Sequence, residues 1–148
     1  MNVSDIMTKE VVAVRKDTSL REAAGFLAKF RIHGMPVVDV ENKVIGIITE
    51  SDFFTKDSTN IYLPTFLDFV FTKKMPANEQ DKNNIDNFEQ TTKVENVMTE
   101  NCKTVMPNMP VKEFVDLVKE TNFNTFPVAD ECGVLIGIVT VMDVIKLL

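Results

Sequence analysis

The sequence predicts a mixed α/β (α+β) protein, in which two β-α-β-β-α units pack about a pseudo-twofold axis. Three observations lead there. The 148-residue chain repeats itself, Val3 to Asp52 aligning without a gap on Val94 to Asp143 at an offset of 91, with 13 identities in 50 positions. Within each copy the apolar spacing passes from helical to strand-like in the same order. A unit of about fifty residues also buries too little surface to fold alone, so the two copies must share their packing.

Each copy opens on a Met-Thr pair, Met7-Thr8 and Met98-Thr99, followed by a short β-rich run, Val11 to Val14 and Cys102 to Val105. A helix comes next. In the first copy Ser19 and Glu22 form a capping box ahead of the stripe Leu20, Ala23, Ala24 and Leu27. In the second, Pro110 suits the first helical position ahead of Val111, Phe114, Val115 and Val118. Two strands then meet across a tight turn, Pro36 to Val40 and Val44 to Thr49 around Glu41-Asn42 in one copy, Pro127 to Asp130 and Leu135 to Thr140 around Gly133 in the other. A second helix starts at Ser51 and at Val141.

The chain thus divides into repeat 1 over residues 1–55, a connection over 56–93 and repeat 2 over 94–148. In the connection, Leu63, Phe66, Leu67 and Val70 form a helical stripe with Pro64 near its start, flanked by Ile61, Tyr62, Phe69 and Phe71. That aromatic helix either covers the module's own core or docks a partner. From Lys74 to Lys93 the composition turns polar, as in a surface loop or weak helix.

Composition removes several function classes. A net charge of −6, with basic residues clustered no further than pairs such as Arg15-Lys16 and Lys73-Lys74, argues against nucleic acid, whose phosphates need clustered cations. Cys102 and Cys132 lack Cys-x-x-Cys spacing and neither lies beside the single histidine, His33, so no metal site is expected and both read as reduced structural thiols. With no phosphate-cradling Gly-rich loop either, little remains for an enzyme. No apolar run approaches the roughly 18 residues that span a bilayer, and no basic-then-apolar leader is present, which points to a cytoplasmic protein away from membranes.

The chemistry gathers at two equivalent strand-to-helix junctions, Gly46-Ile47-Ile48-Thr49-Glu50-Ser51-Asp52 and Gly137-Ile138-Val139-Thr140-Val141-Met142-Asp143. Glycine permits close backbone approach. Thr offers a hydroxyl, and an ionised Asp offers two acceptor oxygens matched to the paired hydroxyls of a ribose. Helix N-terminal amides favour a nearby anion. Thr-x-x-Asp is equally a capping box, and one copy alone favours that reading. Two copies, each after a Gly and an apolar strand, favour a pair of ribose clamps. The two uses compete, because an Asp folded onto its own backbone has less capacity left for a ligand.

On these segments, on Asp5-Ile6-Met7-Thr8 and on Gly34-Met35-Pro36-Val37-Val38-Asp39, each with its counterpart 91 residues later, the chain resembles paired cystathionine β-synthase (CBS) domains, the Bateman module. The resemblance covers roughly Met1 to Thr55 and Val94 to Leu148. It implies two clefts binding adenosine-containing ligands of the AMP, ADP, ATP or S-adenosylmethionine class, and homodimers. It implies further that Thr140, Asp143 and Ile138 share a cleft with Met7, Thr8, Val12, His33, Met35 and Pro36, and that Thr49, Asp52 and Ile47 share one with Met98, Phe126 and Pro127. Met7, Met35, Met98 and Phe126 are equally ordinary core residues of such a unit.

The chain departs from the family at the position that often holds phosphates with His or Arg. His33-Gly34 stands there in the first repeat and Asn124-Thr125 in the second, and Lys103 replaces the apolar Val12. The expectation is therefore unequal clefts, the Asp143 cleft the better one, with AMP favoured over a triphosphate. The leading reading is a regulatory sensor that signals to an unidentified effector protein, since the sequence carries no fused output domain. The alternative is an interaction scaffold or dimerisation module with empty clefts.

Overall fold

The computed structural model describes residues 1–53 and 92–148, so the aromatic helix expected at 61–71, the polar stretch to 91 and the boundary at 55 lie outside it. The first repeat runs through α1 (Val3–Ile6), β1 (Val14–Arg15), α2 (Leu20–Phe30), β2 (Gly34–Val38), β3 (Val44–Thr49) and a 3-10 turn (Glu50–Phe53). The second runs through a 3-10 turn (Val94–Asn96), β4 (Thr99–Glu100), α3 (Val111–Thr121), β5 (Thr125–Ala129), β6 (Leu135–Thr140) and α4 (Val141–Ile145).

The two longer helices form where the apolar stripes place them. Ser19 Oγ accepts from the Glu22 amide at 3.2 Å and opens α2, which turns its buried Leu20 and Ala23 inward. In the second repeat Pro110 is the N-cap rather than the first helical residue. Its backbone is extended (φ −59°, ψ 138°), and its carbonyl already accepts from the Phe114 amide. Both helices end on a residue of left-handed conformation, Arg31 and Asn122.

The hairpins share one register. Pro36 faces Ile47 and Val37 faces Gly46, as Pro127 faces Ile138 and Val128 faces Gly137, with an irregularity before Val38 and before Ala129. Their turns are built by the aspartates of the Pro-Val segments: Asp39 Oδ1 accepts from the amides of Glu41 and Lys43, Asp130 Oδ1 from those of Cys132 and Val134. The β-rich runs expected at 11–14 and 102–105 shrink to β1 and to a single parallel bridge between Val105 and Val128.

Repeat symmetry is visible in the hydrogen bonds themselves. The Val44 amide donates to the Gly133 carbonyl at 3.0 Å and the Leu135 amide to the Asn42 carbonyl at 2.9 Å. An offset of 91 maps each bond onto the other, so the pseudo-twofold axis passes here. The same operation relates β4, which pairs antiparallel with β3, to the bridge between Thr8 and Ile138.

Each repeat thereby lends its opening segment to the other. Val3 is fully buried with Val105, Phe114, Phe126, Val128 and Val139, while Val94 is fully buried with Val14, Leu20, Met35, Val37 and Ile48. The exchange explains the motif glycines. A Cβ on Gly46 would lie 2.7 Å from the Thr99 carbonyl oxygen, and one on Gly137 would lie 2.6 Å from Met7 Sδ. What approaches the glycine is the other repeat's Met-Thr segment.

Gly46→Ala is expected to destabilise the protein by about 1–3 kcal/mol, because the obstacle is backbone. Gly25→Ala, on the exposed face of α2 with nothing within 4 Å, is expected to stabilise it by about 0.5–1 kcal/mol through helix propensity. Urea denaturation of the two variants beside the parent checks both signs.

Candidate functional site

At the ends of β6 and β3 the two motifs adopt matching geometry. Asp143 Oδ2 accepts from the Thr140 amide at 2.8 Å and from Thr140 Oγ1 at 2.9 Å. Asp52 Oδ2 accepts from the Thr49 amide at 2.8 Å and from Thr49 Oγ1 at 3.3 Å. Asp143 thereby closes a capping box at the start of α4, and Asp52 makes the matching contacts at the start of its 3-10 turn. For Asp143 this leaves Oδ1, which holds Lys146 Nζ at 3.2 Å. One oxygen thus fixes the helix start, and the other is paired with a lysine one turn on.

That cleft, about 720 Å³, opens between the repeats at Asp143, within the range of small-molecule sites. Repeat 1 contributes Thr8, Val12 and His33 to its lining and repeat 2 contributes Ile138, Thr140 and Asp143. These are six of the nine residues expected there. The other three stand behind the wall. Met35 is fully buried in the first core and Pro36 is buried in β2 against Ile47, while Met7 is half-buried against Gly137.

At the Asp52 end, Ile47 is buried between Pro36 and Thr99 in the sheet and Met98 is half-buried against Gly46. Pro127 is buried opposite Ile138. Phe126 has no exposed surface and stacks edge-to-face on Phe114, with ring centroids 5.3 Å apart. Met35 and Phe126 are thus members of the two buried cores.

Several lining residues were not expected. Asn124, anticipated beside Asp52, lines the Asp143 cleft, because its carbonyl accepts from the Val141 amide and anchors it to the start of α4. Glu10, Arg31, Glu50, Thr125 and Lys146 also line it. Lys146 could have been found from its place one helical turn after Asp143. For Arg31 no comparable signal exists, since its left-handed C-cap position says nothing of the cleft it faces.

Two close polar pairs lie in the cleft: His33 Nδ1 is 3.0 Å from Glu50 Oε2, and Lys146 Nζ is 3.2 Å from Asp143 Oδ1. Among the described residues there is no cluster of three or more His, Cys, Asp or Glu that could hold a metal ion. Neither cysteine lines this cleft. Burial pushes the Cys102 thiol up to about 11, whereas Cys132 is exposed in the second hairpin turn. Labelling with a maleimide at neutral pH should therefore modify Cys132 well before Cys102, as followed by intact mass. No helix among the described residues is long and apolar enough to cross a membrane.

Comparison with known proteins matches this geometry to one family. The CBS domain model fits residues 3–58 and 94–148. A CBS domain-containing protein of Dictyostelium discoideum is 34% identical across 99% of this chain and 90% of its own length. A crystal structure of CBSX2, a CBS-pair protein of Arabidopsis thaliana, in complex with AMP is similar with a TM-score of 0.72 and 25% identity, over 99% of this chain and 94% of that one. The CBS domain pair of protein MJ0100, in complex with 5′-methylthioadenosine and S-adenosyl-L-methionine, is similar with a TM-score of 0.71 and 26% identity, over 99% and 94%.

Proposed function

The chain belongs to the CBS domain family, and from that premise we propose that it is a regulatory, non-catalytic module that binds an adenosine-containing ligand in the Asp143 cleft. Ligand state passes to an effector protein through a change in how the repeats, or two copies of the chain, are arranged. The observation that carries this reading is the meeting of Thr8, Val12 and His33 of one repeat with Ile138, Thr140 and Asp143 of the other around one cavity. A ligand there touches both repeats at once. It also lies beside the Thr8–Ile138 pairing that joins them, so occupancy and inter-repeat geometry are coupled.

AMP is the favoured ligand, held with its ribose hydroxyls donating to Asp143 Oδ1. The adenosine ligands bound by the similar CBS pairs support the class. The protein is taken to act in the cytoplasm as a homodimer.

Thermal melting with adenosine, AMP, ADP, ATP, S-adenosylmethionine, NAD and cyclic di-AMP tests the reading. A ligand at a hundred times its dissociation constant stabilises by about 2.7 kcal/mol, roughly a 5–10 °C rise for a chain of this size. A panel in which nothing shifts the melt overturns it.

One observation favours a scaffold instead. Met142, Ile145, Leu147 and Leu148, on and after α4, are all about half exposed or more, an apolar edge suited to a second copy or partner. A flat melting panel together with concentration-dependent dimers in sedimentation would select that reading.

A further inference from the structure

The Asp143 cleft carries its own counterions. Of its lining groups able to bear charge, Glu10, Glu50 and Asp143 are carboxylates, Arg31 and Lys146 are cations, and His33 is an imidazole. We infer that Glu50, with Glu10 in the same lining, is a specificity-determining residue that grades adenosine ligands by phosphate number and turns away the triphosphate. The inference rests on the adenosine-ligand reading above.

Glu50 follows Thr49 in the first repeat's motif, yet its side chain serves the cleft of the second. Its Oε2 lies 3.0 Å from His33 Nδ1, which lines the same cleft. The two side chains are 79% and 65% exposed, so the pair itself stabilises little. The discrimination comes instead from the carboxylate charges facing the ligand. A phosphate that takes His33 must displace Glu50 and remain near it, and each further phosphate adds like charge to a lining that already holds three carboxylates. Ribose hydroxyls meet no such penalty, because they donate to a carboxylate.

Isothermal titration of the full chain with adenosine, AMP, ADP and ATP, without divalent cations, gives the ratio of the ATP to the adenosine dissociation constant. Glu50→Gln is expected to lower that ratio roughly fivefold to tenfold at low salt, Glu10→Gln to add to the effect, and about 0.5 M salt to shrink both. Glu41→Gln, in the hairpin turn outside the cleft lining, controls for net charge and should leave the ratio as in the parent. A ratio unmoved by Glu50→Gln, moved equally by Glu41→Gln, or already near one in the parent overturns the filter while leaving the ligand reading in place. Failure of all four compounds to bind the parent overturns both.

Discussion

Asp143→Asn is expected to lower affinity for an adenosine ligand roughly 30- to 150-fold, the loss of about 2–3 kcal/mol that follows when a hydrogen bond to a charged acceptor is removed. Asp143 is only 7% exposed, and its two oxygens have different partners. Oδ2 is held by Thr140, so the oxygen proposed to meet the ligand is Oδ1, now opposite Lys146. Asparagine retains one acceptor for the helix cap, so the unliganded melting temperature should fall little, by the equivalent of at most about 1 kcal/mol. Titration calorimetry and unliganded melting separate the two roles. Asp52→Asn is expected to reduce ligand binding less. Equal loss from the two variants, or a greater loss from Asp52→Asn, would remove the preference for the Asp143 cleft.

Phe126→Ala is expected to cost about 3–5 kcal/mol of folding stability. The ring is wholly buried and packs edge-to-face on Phe114 and, at 6.2 Å between centroids, against Phe123. Truncation would leave a cavity in the second core, beside Val139 and Val128. Urea denaturation measures the cost, and ligand-induced stabilisation of the surviving fold should remain close to that of the parent. A small loss of stability with a large loss of ligand response would return Phe126 to the binding surface that the family resemblance assigned it.

These two residues also mark how far the sequence could be read. Its internal offset located both hairpins and both long helices, because a period-two run and a 3.6-period stripe are local properties of a few neighbouring residues. Asn42 and Gly133 marked turns for the same reason, each adopting positive φ. The Thr-x-x-Asp segments were legible as caps and as candidate clamps, and Asp143 serves the first directly.

What local pattern could not supply was the partner across the axis. Val3 and Val94 look like ordinary apolar residues at the head of their own repeats, yet each completes the core of the other. The same exchange says what comes close to the motif glycines: the other repeat's Met-Thr segment. Side-chain direction was the second blind spot. Met35 and Pro36 are adjacent in sequence and both were expected in the cleft, but β2 is buried along its whole length. Arg31 and Glu50 reach the cleft only because the helix end and the hairpin end of repeat 1 come together around His33, whose carbonyl accepts from the Glu50 amide.

The most direct measurement is a crystal structure of the chain grown with saturating AMP. One nucleotide is expected between the repeats, its ribose hydroxyls within hydrogen-bond distance of Asp143 Oδ1, its base against Val12 and Ile138, and Lys146 drawn away from the carboxylate. An AMP molecule bound elsewhere, or Lys146 still paired with Asp143 at saturation, would contradict this reading.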